Sequence, residues 1–227
     1  MPSMNDILIL APEFYLVAAA CLLLLLDAFM KPEQRGLLHW LSIAVLAVAI
    51  YMVVGAAPPV SLSAFHGMFV RDGVATILKV FALLTTILVF VYSRPYLRDR
   101  KLFIGEFYTL MIFAVIGVML LVSAGSLVTV YLGLELLSLS SYALVALNRD
   151  APLPSEAAMK YFVLGALASG MLLYGMSMVY GASGMGGQAT LDLSQLKAVM
   201  GYTQAPTLLL FGLVFMVVGI SFKLGVA

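Results

Sequence analysis

Charged residues are scarce in this chain: Asp, Glu, Lys and Arg make up only 10% of its 227 positions, where an ordinary soluble domain holds about a quarter. A polypeptide so poor in charge cannot cover a water-exposed surface, which excludes the soluble globular classes. Neither sign dominates. Twelve Lys and Arg stand against 11 Asp and Glu, with no acidic or basic run, so no nucleic-acid partner is implied. The single cysteine, Cys21, excludes an internal disulfide, and in its apolar run it reads as a small packing residue. The two histidines, His39 and His66, lie in or beside connections and lack metal-ligand spacing. Gly184 to Gly187 follow no strand, so neither a phosphate loop nor a flavin fingerprint is present. The expectation is a chain that binds no cofactor or metal and holds no redox centre. Met1 to Leu10 lacks a basic segment, and Asp6 and Glu13 are acidic. The first apolar run is therefore read as a retained helix rather than a cleavable signal.

Apolar length is what the chain has in abundance. With 63% hydrophobic residues and a mean hydropathy of +1.11, it reads as an all-α, polytopic membrane protein. At about 20 residues per span, seven helices are expected: Phe14–Met30, Leu37–Gly55, Gly73–Tyr92, Phe107–Val122, Leu127–Leu147, Ala157–Gly181 and Ala205–Val226. Pro32, Pro58, Pro59, Pro95, Pro152, Pro154 and the glycines from Gly184 to Gly187 fall between them. Leu191 to Met200 reads as a short interfacial helix. No soluble domain fits, and no internal repeat is visible.

Orientation follows from the basic residues. Alternate connections carry Lys31, Arg35, Arg94, Arg98, Arg100, Lys101 and Arg149, while the opposite side carries only Arg71 and Lys197. This bias puts the N-terminus on the periplasmic side.

Glu135 is the only charged residue of the run from Leu127 to Leu147 and stands near its middle. An ionisable group at that depth costs roughly 2.5–3.5 kcal/mol even on lenient insertion scales, and such groups usually serve function. Tyr131, Ser138 and Tyr142 share its helical face, offering hydroxyls to a buried carboxylate. Burial favours the neutral form of an acid and a nearby ammonium its ionised form, so a pair able to part and re-form can capture and release a proton. A static salt bridge is the alternative.

Three lysines stand in other spans. Lys160 follows Glu156 by four residues, the favourable order for a helical ion pair. It either snorkels to the surface or meets a carboxylate through the small residues Gly165, Ala168, Ser169 and Gly170. Lys223 ends the apolar run from Leu208 to Phe222 and reads, on residues alone, as an interfacial anchor as readily as a buried partner. Lys79 reads as snorkelling or paired with Asp72, and as an accessory group in transport on the other reading. Glu13, Asp27 and Glu106 lie near span ends and read as interfacial. Trp40 and the terminal tyrosines fit an aromatic belt.

Three blocks then carry a resemblance: Gly133-Leu134-Glu135-Leu136-Leu137-Ser138-Leu139-Ser140-Ser141-Tyr142, Glu156-Ala157-Ala158-Met159-Lys160-Tyr161-Phe162, and Gly219-Ile220-Ser221-Phe222-Lys223-Leu224-Gly225-Val226-Ala227. In this order and spacing they resemble the subunit N family of proton-pumping NADH:quinone oxidoreductase, respiratory complex I, over essentially the whole chain. Sibling subunits and cation/proton antiporters carry relatives of each block, and the combination favours subunit N.

The resemblance implies an antiporter-like fold of inverted repeats. It divides the chain into three N-terminal helices (1–104) and a first repeat, truncated in or after its fourth helix (105–227). It makes Glu135, Lys160 and Lys223 a proton relay, with Lys223 deeper than the residues alone suggest. The implied partners are the other membrane subunits of complex I, sibling antiporter-like subunits among them, and the lipid of a bacterial inner membrane. The complex as a whole would use NADH, FMN, iron–sulfur clusters and quinone. The family's sequence continues past Ala227 with a Pro-Phe-His segment and a second repeat, so less than half of the family's length is expected here. A multisubunit cation/proton antiporter without redox partners is the competing function, and a spacer whose buried charges only fix packing is a third.

Overall fold

The structure, a computed structural model, describes residues 4–30, 35–58, 60–100, 102, 105–185, 188–200 and 205–225. Expectations resting on Lys31, Pro32, Pro59, Lys101, Gly186, Gly187, Val226 and Ala227 lie outside these residues. The elements run α1 (Met4–Ile9), α2 (Ala11–Phe29), α3 (Arg35–Gly55), β1 (Leu62–Ala64), β2 (Phe69–Arg71), α4 (Gly73–Asp99), α5 (Gly105–Val122), α6 (Leu127–Val145), α7 (Pro152–Gly184), α8 (Leu193–Met200) and α9 (Pro206–Lys223). Seven of these helices, α2 to α7 and α9, are long and apolar enough to cross a membrane, and α8 is the expected short helix.

Side-chain capping sets where several helices begin. Asp72 accepts from Ala75 N at 2.7 Å to start α4, and Ser126 accepts from Val128 N at 3.3 Å to start α6, satisfying amides that have no partner within the helix. Proline placement corrects two expected boundaries. Pro95 lies inside α4 rather than after it. Its missing N–H removes one bond near the end of the helix, and the helix continues to Asp99. Pro152 and Pro154 stand in the first turn of α7, where a proline sacrifices nothing because those amides are unbonded anyway.

A small hairpin was not among the expected elements. β1 and β2 pair antiparallel, Leu62 opposite Arg71 and Ala64 opposite Phe69. The turn runs through Phe65, His66 and Gly67, at φ 53°, 56° and 89°. Strands of three residues leave no alternation long enough to read. The hairpin docks on the α5–α6 connection through Val70 N to Ser123 O (2.7 Å) and Gly125 N to Met68 O (2.9 Å). That connection pairs in turn with the segment before α8, through Leu127 N to Leu191 O (2.9 Å) and Leu193 N to Gly125 O (3.0 Å). One ladder of backbone bonds therefore ties this end of the molecule together.

Two apolar cores form between the helices. The larger gathers Leu16, Leu46, Leu83, Phe90, Ile112 and Met119 from α2 to α5. The smaller gathers Leu127, Leu172, Met176, Val179 and Leu196 from α6, α7 and α8, with Met216 and Ile220 of α9 against it. Between them α5 and α6 approach so closely that a Cβ on Gly117 would stand 2.8 Å from Gly133 O, the close contact that small residues permit in membranes.

Candidate functional site

Glu135 stands near the middle of α6 and Lys223 is the last residue of α9. Their side chains meet: Lys223 Nζ lies 3.1 Å from Glu135 Oε2 and donates at 2.9 Å to Ser138 Oγ. Ser138 Oγ in turn donates to Leu134 O at 2.7 Å, so the ammonium and a hydroxyl donate in series to a backbone carbonyl. A second hydroxyl arrives from α7, where Ser169 Oγ donates to the same Glu135 Oε2 at 2.7 Å. The lysine side chain is 3% exposed and the glutamate 24%. Lys223 is thus a buried partner and not an interfacial anchor.

Helix packing explains how a residue at the end of α9 reaches the middle of α6. A Cβ on Gly219 would meet Leu172 and Ala168 O of α7 at 2.7–2.8 Å, and one on Gly175 would meet Gly212 O at 2.6 Å. Bare backbones let α9 lie directly on α7, which carries Lys223 past α7 to α6. Gly165 clears space in a different way. A Cβ there would collide with the Tyr142 hydroxyl, and without it the tyrosine packs edge-on against Tyr161, ring centres 4.6 Å apart.

The structure does not bring every expected residue together. Glu135, Ser138 and Lys223 meet as the sequence suggests, and Tyr142 is buried nearby. Tyr131 packs half-buried against the smaller core. Lys160 is elsewhere: its Nζ lies 2.6 Å from Glu156 Oε1, with side chains 71% and 60% exposed. Nine residues of helix separate it from Ser169, about 13 Å along the axis, which exceeds a lysine's reach. Of the small residues after it, Ser169 alone supplies a polar group to the carboxylate. A hydroxyl within an apolar run was the available signal for it.

Lys79 and Glu13 depart furthest from expectation. Lys79 Nζ lies 2.7 Å from Glu13 Oε1, with side chains 3% and 4% exposed, and 4.6 Å from the centre of the Phe69 ring. Lys79 therefore neither snorkels nor pairs with Asp72, whose carboxylate caps α4 seven residues earlier. Glu13, read as interfacial, is more enclosed than Glu135, 4% against 24% exposed, and Phe69 of β2 lies against its partner Lys79. Arg71 of β2 is also buried and donates to Ile9 O at 3.3 Å and Val53 O at 3.1 Å, the closing turns of α1 and α3. Burial pushes its guanidinium below the usual arginine range, and the Glu13 carboxylate opposes that shift. Among the described residues no group of three His, Cys, Asp or Glu gathers to hold a metal ion.

A multi-helix membrane chain in which a carboxylate on one span meets a lysine on another has the form of an antiporter-like transmembrane protein. Residues 124–227 match the family described as NADH:quinone oxidoreductase/Mrp antiporter, transmembrane. The particular relatives are more specific. The chain is 46% identical over 222 residues to NADH-quinone oxidoreductase subunit N of Halorhodospira halophila, covering 98% of this chain and 45% of that one. It is 50% identical over 222 residues to subunit N of Xanthomonas euvesicatoria, covering 98% and 44%. Among solved structures it resembles a chain of respiratory complex I from Thermus thermophilus with bound aureothin, at TM-score 0.70 and 29% identity over 93% of this chain and 43% of that one. An archaeal membrane-bound sulfane sulfur reductase shares the fold alone, at TM-score 0.68 and 20% identity. Over nearly its whole length the chain is similar to these subunit N proteins, and it spans somewhat less than half the length of the curated relatives it matches.

Proposed function

We propose that this chain acts as part of a proton-translocating membrane subunit of NADH:quinone oxidoreductase, in which NADH oxidation and quinone reduction take place on other subunits. The observation that carries the reading is the bond from Lys223 Nζ to Glu135 Oε2, 3.1 Å long, inside a membrane-spanning bundle. With the ammonium in place the carboxylate stays ionised. Withdrawn from it in a low-dielectric interior, the carboxylate takes up a proton, because an isolated buried charge is costly. Ser169, already bonded to the reacting oxygen, holds Glu135 in place in both states. Ser138 gives the ammonium a resting partner within reach of the carboxylate. The relay we propose runs through Glu135, Ser169, Ser138 and Lys223, and Lys160 joins it only after leaving Glu156.

In this reading the hairpin end faces the periplasm and the chain divides near residue 104 into three leading helices and an antiporter-like repeat. The partners are the other membrane subunits of the complex, and the NADH, FMN, iron–sulfur clusters and quinone belong to the assembly rather than to this chain. The test is Glu135→Gln in the full-length subunit within its assembled complex, measuring protons moved per NADH oxidised. The expected outcome is reduced pumping with assembly retained. Undiminished pumping would remove Glu135 from the mechanism. The same family description covers Mrp antiporters, and the competing reading is a cation/proton antiporter. Copurification separates the two, since iron–sulfur and flavin proteins accompany the chain only in the first.

A further inference from the structure

The pair formed by Glu13 and Lys79 is a second enclosed carboxylate–lysine contact, separate from Glu135 and unused by the relay above. It joins α2 to α4 at 2.7 Å with both side chains nearly sealed from solvent. Its surroundings differ from those of Glu135. Among the described residues no serine shares the carboxylate, and Glu13 Oε2 is buried there without a hydrogen-bond partner. Such an oxygen is expensive to leave bare, and one water molecule is the smallest group that satisfies it.

The charges facing the pair are few. Arg71 approaches from β2, with its donors committed to Ile9 O and Val53 O. Asp72 stands at the start of α4, its carboxylate committed to Ala75 N. Asp6 of α1 is bonded farther out to Phe65 N at 3.3 Å. Glu13 faces Lys79 directly and Arg71 acts on both, while Asp72 acts on Lys79 from the start of its helix. A guanidinium does not give up its proton, so the cation of the pair able to release one is Lys79. Loss of one proton from Nζ leaves a neutral amine that still donates to Glu13 Oε1, while Arg71 balances the Glu13 charge.

We propose that Glu13 and Lys79 form a second proton-exchange pair, at the hairpin end of the first three spans, with Arg71 as its fixed counter-charge. In the release step an N–H bond of Lys79 breaks and the proton passes to a water held by Glu13 Oε2 and from there to the aqueous phase. Uptake is the reverse. The path out is short: Glu13 is the third residue of α2 and Lys79 the seventh of α4, no more than about 10 Å from the helix starts. Phe69 and Arg71 of the hairpin roof the pair. The same strand is bonded to the connection that opens α6, so a shift of α6 reaches the roof directly. The inference rests on the proton-pumping reading of the chain.

The test is made in the full-length subunit within its assembled complex in membrane vesicles. Lys79→Arg keeps the charge and the contact with Glu13 but cannot release a proton. The double variant Glu13→Gln with Lys79→Gln keeps a neutral hydrogen bond and removes exchange by another route. Glu135→Gln is the control. The expected result is complexes that assemble and in which both variants pump as poorly, per NADH oxidised, as the control. Normal pumping in either variant overturns the proposal. So does failure of both to assemble, which assigns the pair to folding alone. If Glu135→Gln itself pumps normally, the underlying proton-relay reading has failed, whatever the Lys79 variants do.

Discussion

Lys223 Nζ and Glu135 Oε2 lie 3.1 Å apart across a sequence separation of 88 residues, and the contact depends on glycine-lined packing of α9 against α7. Breaking such a pair from one side leaves an uncompensated charge, which costs about 3–5 kcal/mol when fully buried, while replacing both partners together is far milder. Lys223→Met and Glu135→Gln are each expected to lower the melting temperature of the purified full-length protein. The double variant should recover part of the loss. Additive effects in that double-mutant cycle would show that the two side chains are not coupled.

Ser169 donates to the carboxylate oxygen that Lys223 also uses. A hydrogen bond to a charged group contributes about 1.5–3 kcal/mol, so Ser169→Ala is expected to destabilise the protein by an amount near the low end, given partial exposure of Glu135. Ser169→Thr restores a hydroxyl and should restore most of the stability. Chemical denaturation of the three proteins in detergent is the measurement, and equal stability of Ala and Thr variants would exclude the bond.

Gly165 exists in this site for the sake of the Tyr142 hydroxyl. Gly165→Ala is expected to cost about 1–3 kcal/mol through overpacking. Adding Tyr142→Phe removes the colliding oxygen but leaves the ring carbons that also meet the new methyl, so it should return only a part of it. A double variant no better than the single one would place the strain elsewhere.

Lys160 makes an exposed pair with Glu156, of a kind that contributes about 0.3–0.5 kcal/mol in a helix. Lys160→Ala should therefore leave the melting temperature almost unchanged, in contrast to Lys223→Met. Its effect on proton pumping should also be the smaller of the two. A pumping loss as deep as that of Lys223→Met would mean that Lys160 exchanges partners and enters the relay.

The spans were legible because burial in a bilayer demands long apolar runs whatever the neighbours are. All seven lie where the hydropathy puts them, although α4 runs seven residues farther and α7 begins five residues earlier than expected, and the shared face of Glu135, Ser138 and Tyr142 follows from helical periodicity alone. The misreadings have a common cause. Glu13 and Lys79 stand near the ends of apolar runs, as does Lys223, which the residues alone left open between anchor and partner, and depth along one helix says nothing about what covers that helix. Glu13 and Lys79 are enclosed beside a three-residue strand, whose Phe69 lies against Lys79, and Lys223 is enclosed by its approach to a neighbouring helix. Pro95 misled for the opposite reason, since a helix near its end loses little by skipping one bond.

By itself the sequence determined the solvent this chain lives in, the number of its spans, and the carboxylate and lysines available for chemistry, because these depend on composition and local periodicity. Which lysine meets which carboxylate was decided only by the tertiary structure. Pairing depends on how closely two backbones approach and on what a distant segment covers. Here α9 lies against α7 through Gly175, Gly212 and Gly219, and Phe69 of the hairpin lies against Lys79. Those contacts gave Glu135 to Lys223, gave Glu13 to Lys79, and left Lys160 on the outside with its own helix neighbour.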